Sequence, residues 1–446
     1  DVTLWGPTHL MLIGGAALTL IGTSTLVVEG RAETEPKRNW RTVLARGRRT
    51  FAFGGLLIGL STFQGEFDFG VPQFNLVLEP VMLAFAAGVA LVGARLWIGP
   101  GAALGAALFF IAVRGVIALL VGGVWDETVP HFPLYLAEAA CIELLALALP
   151  RLLDRPYAFG AVGGLLIGTV GFAAEYGWSH VWMPVPWPEG LIDAAIVPTV
   201  VAAVAAGVIG AFLATSLMGA EGRYAAPAAS WRSRAGLPAA GLAAIAVVVA
   251  LNVADSAPRG VSAEVTLSET SPAPNRAADA TVRINPPEFA EEANWVSAIG
   301  WQGGERLHLD HLEETAPGVY ETDEPLPLSG TWKTLIRVHT DDALVGVPLY
   351  LPEDAAIPAE AVTSPEGTFQ RPFIDETEIL QRELKDDVPG YLAALAYAIV
   401  GLIVLSIIVL LGWVLVRLGD GGEPRARKRA ASPKRPAAAG APGAPA

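Results

Sequence analysis

The chain has 446 residues, 52% of them hydrophobic, and a mean hydropathy of +0.46, which is too apolar for an ordinary soluble globule. Its formal net charge of −14 is unevenly spread: residues 254–389 hold 26 acidic and 9 basic side chains, and the remainder holds 18 acidic and 21 basic. A single cysteine, Cys141, excludes an internal disulfide and a cysteine zinc site. Walker-type, Gly-x-Ser-x-Gly and His-Glu-x-x-His motifs are absent, so ATP-driven transport by this chain alone is not expected.

In chain order, apolar stretches of about the 20 residues needed to cross a bilayer are expected over roughly 7–28, 50–64, 78–97, 102–123, 133–149, 157–175, 190–218, 235–253 and 390–417. The second and fifth are short. The expected fold class is a mostly α polytopic membrane protein of about nine transmembrane helices with an inserted all-β immunoglobulin-like sandwich. The expected organisation is an eight-helix block over 1–253, an extracytoplasmic sandwich over 254–351 and an acidic linker over 352–389. A last helix over 390–418 and a basic disordered tail over 419–446 follow. Glycine pairs such as Gly14-Gly15 and Gly163-Gly164 are expected to let helices approach closely. The first residue, Asp1, fits a removed leader or a fragment.

Charge sets an orientation. Outside 254–389, every Lys and Arg except Arg114 falls on loops or helix ends of one side: Arg31 to Arg49, then Arg95, Arg151, Arg155, Arg223, Arg232, Arg234 and the tail from Arg417. The alternate loops 64–77, 124–132 and 176–189 contain no Lys or Arg. Under the positive-inside rule the basic side is cytoplasmic. The N-terminus and the 254–389 region are then outside, in a bacterial-type plasma membrane. The basic Pro/Ala/Gly-rich tail reads as a lipid-facing anchor, not a nucleic-acid arm.

His9, His131 and His180, with Met11 and Met183, sit where helices meet the outer side, and such soft ligands suit copper. His131, Tyr135 and Glu138 are spaced to form one stripe on a helical fifth span, with Cys141 nearly continuing it. Glu138, Glu143 and Glu175 are costly in a membrane and are expected to face other helices or a polar cavity. Arg114, the one embedded cation, is a natural partner for Glu138 or Glu143. Glu79 and Met82 share a face of the third span, and Glu66, Asp68, Asp126, Glu127 and Asp193 lie on or near the same side. Trp5, Trp125, Trp178, Trp182 and Trp187 are expected to form an interfacial aromatic belt there.

From 254 the texture changes to β-rich runs: Ala278–Ile284, Trp295–Trp301, Arg306–Leu309, Thr331–His339 and Val345–Leu351. His308-Leu309-Asp310-His311 is the region's one ligand-like cluster, with His308 and Asp310 on one strand face. Gly318-Val319-Tyr320, then Leu326-Pro327-Leu328-Ser329-Gly330-Thr331-Trp332 and the strand to Val338, resembles the end of YtkA/FixH-like domains. Such domains are sometimes fused to a CopD-like block of eight helices, a layout similar to this one. The resemblance implies copper handling on the extracytoplasmic face, by uptake or delivery to a membrane cuproenzyme, with copper as the bound metal. Two alternatives stand beside it: a subunit of a membrane copper- or quinone-dependent oxidoreductase or monooxygenase, and a non-catalytic partner subunit of an envelope complex. The lipid bilayer and an envelope protein are the expected partners.

Overall fold

The computed structural model describes residues 7–30, 40–224, 231–252, 260–291, 293–302, 307–340, 343–355, 359–380, 382 and 389–421. Most of the basic loop after Glu29 and the tail beyond Gly421 therefore lie outside the described residues. The helices are α1 (Pro7–Glu29), α2 (Trp40–Ser61), α3 (Leu78–Ile98), α4 (Ala102–Val124), α5 (Leu136–Ala148), α6 (Pro156–Trp182), α7 (Gly190–Ala220), α8 (Trp231–Ala250) and α9 (Tyr391–Gly421). Among the described residues, α1, α3, α4, α6, α7 and α9 are long and apolar enough to cross a membrane. The other three fall short for separate reasons. Arg46, Arg48 and Arg49 dilute the first half of α2, α5 has only 13 residues, and the apolar part of α8 is confined to Ala235–Ala250.

The core of the helical bundle is built on small residues. Along α6, Gly160, Gly164 and Gly168 fall four apart on one ridge, and each meets the backbone of α7. A Cβ on Gly164 would lie 2.2 Å from Ala203 O, and one on Gly160 would lie 2.3 Å from Gly207 O. Gly88 of α3 meets Ala206 and Gly207 in the same way. Gly163 meets the side chain of Ile142, whereas Gly14 and Gly15 on peripheral α1 touch nothing within 4 Å. Only the second of the two expected glycine pairs serves helix packing.

Helix α6 carries a wide turn at Ile167–Gly171, and α4 ends in another at Leu120–Val124. Past the first of these the helix runs on to Trp182, beyond the expected end near 175. His180 therefore lies on the helix and not in a loop.

The later region forms two antiparallel sheets. The first contains β1 (Ser262–Ser271), β2 (Ala277–Asn285), β5 (Glu313–Ala316), β6 (Val319–Glu321), β7 (Leu326–Pro327) and β10 (Gly367–Pro372). The second has the order β11-β9-β8-β3-β4, with β3 (Ala293–Trp301), β4 (His308–His311), β8 (Lys333–Thr340), β9 (Leu344–Tyr350) and β11 (Ile374–Asp375). Residues 352–389 do more than link. β10 pairs with β1, β11 pairs with β9, and a short helix Glu376–Leu380 follows.

Val265 and Val282 of the first sheet share one core with Val296, Ile336 and Val345 of the second. On β1 burial alternates, as on a sheet with one wet face; on β8 seven consecutive residues are buried. The other face of the second sheet is covered by the Glu376–Leu380 helix and by the helical bundle. Ile299, Leu335 and Ile379 pack with Val71 of the loop between α2 and α3. Trp295 packs against the bundle core.

Three polar contacts fix this docking. Arg337 Nη2 donates to Pro72 O (2.6 Å), Leu307 N donates to Thr128 Oγ1 (2.8 Å), and His311 Nε2 lies 2.8 Å from Pro184 O. The strand β4, at one edge of its sheet, thus lies on the side that meets the bundle.

A buried carboxylate cluster beneath the β region

The segment between α4 and α5 is non-helical and lies under the β region. Inside a bundle, such backbone requires internal hydrogen-bond partners. Asp68 O accepts from His131 N (2.8 Å), and the Glu175 carboxylate accepts from Leu134 N (3.1 Å) and Tyr135 N (2.8 Å). Tyr135 takes a left-handed backbone (φ 57°), and α5 starts at the next residue. The expected His131–Tyr135–Glu138 stripe is therefore not a helical face, because two of its three members precede the helix. Glu175 on α6 occupies the N-terminal end of α5, where a carboxylate is favoured by the unpaired N–H groups.

Tyr135, Glu138 and Glu175 are all buried. Tyr135 Oη lies 2.7 Å from Ser61 Oγ, and Ser61 donates its own proton to Leu57 O (2.7 Å), so the tyrosine is the donor. The Tyr135 ring packs edge-on against Phe110 of α4 at 4.9 Å. Glu138 is 3% exposed and presses on α6 at Gly171, where a Cβ would stand 2.6 Å from Glu138 Cγ. Its Oε2 has no hydrogen-bond partner. Nearby, Glu79 Oε2 accepts from Trp187 Nε1 (2.7 Å), and Trp187 stacks on Phe172. Glu175, Glu138 and Asp68 lie within electrostatic reach of Tyr135, as Asp68 and Glu175 do of Glu79.

Arg114 is half-buried and pairs with Asp68, not with Glu138 or Glu143. Glu143 pairs with Arg95 at 2.9 Å and accepts from Ala103 N (3.0 Å), toward the opposite end of the bundle. Among the described residues, Glu79, Glu138 and Glu175 form no ion pair. Four carboxylates thus share one region with one paired cation.

The histidines and methionines take local roles. His180 is exposed, with Nδ1 2.9 Å from Tyr176 O one turn earlier and its ring against Tyr176. Met11 is 45% exposed on α1, two residues after half-buried His9, and Met183 caps the end of α6. His131 packs edge-on against Trp182 at 4.8 Å, and its Nδ1 is buried without a partner. Burial holds the His131 ring below the usual histidine range. Among the described residues no group of three or more His, Cys, Asp or Glu is arranged to hold a metal ion.

In the β region, buried Asp310 accepts from Asp323 N (2.8 Å) and Glu324 N (3.3 Å), and its neighbour Leu309 lies against Gly70. His308 Nε2 is buried without a partner, while His311 makes the docking contact to Pro184. The His308–His311 strand is thus largely a docking element. The tryptophans also divide. Trp125 is 63% exposed, as an interfacial residue would be, but Trp187 is inside and Trp178 Nε1 donates to Phe132 O (3.0 Å). Trp5 lies outside the described residues.

The sequence marks Trp187 only as a member of the aromatic belt, and does not single out Ser61, Arg337, His339 or Glu376. Their partners come from other elements, and no spacing along the chain signals them. Comparison with known families, curated proteins and solved structures finds no match for this chain.

Proposed function

We propose that this chain is an integral membrane protein of a cell envelope that exchanges protons at the carboxylate–tyrosine cluster beneath its β region. In this reading about nine helical segments cross or enter the bilayer, and the β region is an immunoglobulin-like sandwich on the extracytoplasmic side. The single observation that carries the reading is Glu138. It is buried, it has an unpartnered Oε2, and among the described residues no cation pairs with it. Intramembrane acids of this kind are costly and mark ion or proton pathways. Glu175 is engaged in holding the start of α5, Asp68 is balanced by Arg114 and Glu79 accepts from Trp187 Nε1, which leaves Glu138, with its unpartnered Oε2, as the group that takes up and releases a proton. The reading takes a proton, which a single buried carboxyl can carry, as the exchanged species.

Infrared difference spectroscopy of the purified protein across a pH step tests this. A carbonyl band from a protonated buried carboxyl is expected, and Glu138→Gln removes it. A wild-type protein without such a band would end the proposal. Copper handling is a second reading, supported by one observation, the orphan Nδ1 of His131. Metal analysis of the same preparation decides it: stoichiometric copper lost in His131→Ala supports it, and metal-free protein removes it.

A further inference from the structure

At the opposite end of the bundle, α1, α7 and α9 flank an open cavity of about 500 Å³ lined by Val28, Glu29, Ala220, Trp413, Arg417 and Leu418, with Glu29 and Arg417 exposed at its mouth. Its walls are fixed by backbone contact, since a Cβ on Gly219 of α7 would lie 2.9 Å from both Cα and O of Gly419 in α9. The Arg417 guanidinium rests over the Trp413 ring at 5.4 Å. The same end carries Glu221, which pairs with Arg49 and Arg223 at 2.5 Å each. A Trp and an Arg at the ends of apolar helices mark headgroup depth in a bilayer.

The geometry points to a bound phospholipid with a zwitterionic, ethanolamine-type headgroup in this cavity. The inference rests on the reading that α1, α7 and α9 cross a membrane. The volume suits a headgroup and the upper part of its chains. Arg417 supplies donors in a planar fork that suits a phosphate, and its aromatic rest on Trp413 pre-orients it. Glu29, on the facing helix, supplies an acceptor for a primary ammonium. One acid and one guanidinium on the same lining match a headgroup carrying one charge of each sign. A purely anionic headgroup would face Glu29 unfavourably, and a choline headgroup has no N–H to donate to it.

The test uses the full-length protein exchanged into detergent with equal phosphatidylethanolamine, phosphatidylglycerol and phosphatidylcholine, with retained lipid counted by native mass spectrometry. Wild-type protein retains the ethanolamine lipid at least about fivefold over the other two, the ratio expected for ~1 kcal/mol from one charged side chain at a membrane surface. Glu29→Gln shifts the preference toward phosphatidylglycerol, and Arg417→Gln loses both lipids. Equal retention of all three, or retention unchanged in both variants, would overturn the inference. Circular dichroism of each variant confirms that it is folded. Flotation of the wild-type protein with liposomes after an alkaline wash checks the membrane reading separately. Failure to float sinks that reading, whereas flotation without headgroup preference sinks only the lipid site.

Discussion

Glu138 and Gly171 are a matched pair. The carboxyl of Glu138 fits against α6 only because residue 171 has no side chain, since a Cβ there would stand 2.6 Å from Glu138 Cγ and 3.0 Å from Oε1. Gly171 closes the wide turn of α6, so the backbone detour and the missing side chain make room for the same acid. Gly171→Ala should therefore lower stability by about 1–3 kcal/mol, the usual cost of overpacking a tight interior. It should also alter the carboxyl band assigned to Glu138. Thermal unfolding in detergent and infrared spectra check the two effects, and an alanine variant that matches wild type in both would contradict the packing described. Gly14→Ala, at a site with nothing within 4 Å, serves as the silent control.

At the scale of elements, β8 carries a pH-sensitive latch. Arg337 and His339 are two residues apart and project to one face of the strand, toward Glu376 at the start of the following short helix. Arg337 Nη2 is 2.5 Å and His339 Nε2 3.1 Å from the Glu376 carboxylate, and all three are buried. Burial, reinforced by the Arg337 charge, lowers the His339 pKa to about 4 despite Glu376. Burial alone would raise Glu376, but Arg337 and His339 outweigh it and hold the carboxyl below its usual value.

Both shifts have the same sign of consequence. Between pH 6.5 and about 4 the unfolded chain binds a proton at His339 that the folded one does not, so stability rises with pH across that window. The contribution is complete above the ordinary histidine pKa and is lost as pH falls through about 4, where Glu376 also begins to lose its share. Unfolding of the β region, followed by Trp295 fluorescence against the His339 ring at 4.4 Å, should shift to lower temperature on acidification. His339→Gln should flatten the upper part of that dependence. A variant with the full wild-type pH profile would show that the titrating group lies elsewhere.

For the whole molecule, the latch also joins the two halves, because Arg337 donates to Pro72 O in the loop that follows Asp68. Arg337→Ala leaves Glu376 buried beside a neutral His339 and releases that loop. Breaking one partner from a buried pair costs roughly 3–5 kcal/mol. Hydrogen exchange of the full-length variant should rise at residues 69–75 and 367–376 together. A rise confined to the second segment would show that the β region and the bundle are not coupled through this contact.

Much of this architecture is legible in the sequence. Runs of apolar residues locate α1, α3, α4, α7 and α9 to within a few residues, because a helix in a bilayer satisfies its own backbone whatever its neighbours do. The alternation of β2 likewise marks a strand with one buried face. The region where α5 begins was not legible. Its start at Leu136 is set by Glu175, which takes the N–H of Tyr135 forty residues earlier in the chain. Arg114 could be recognised as a cation in need of a partner, but Asp68 could not be named, since an ion pair depends on which helices adjoin. Local propensity and hydropathy act along the chain and can be read there. The pairing of Arg114 with Asp68, the isolation of Glu138 and the docking of Arg337 on Pro72 depend on distances across the fold, and only the tertiary structure decided them.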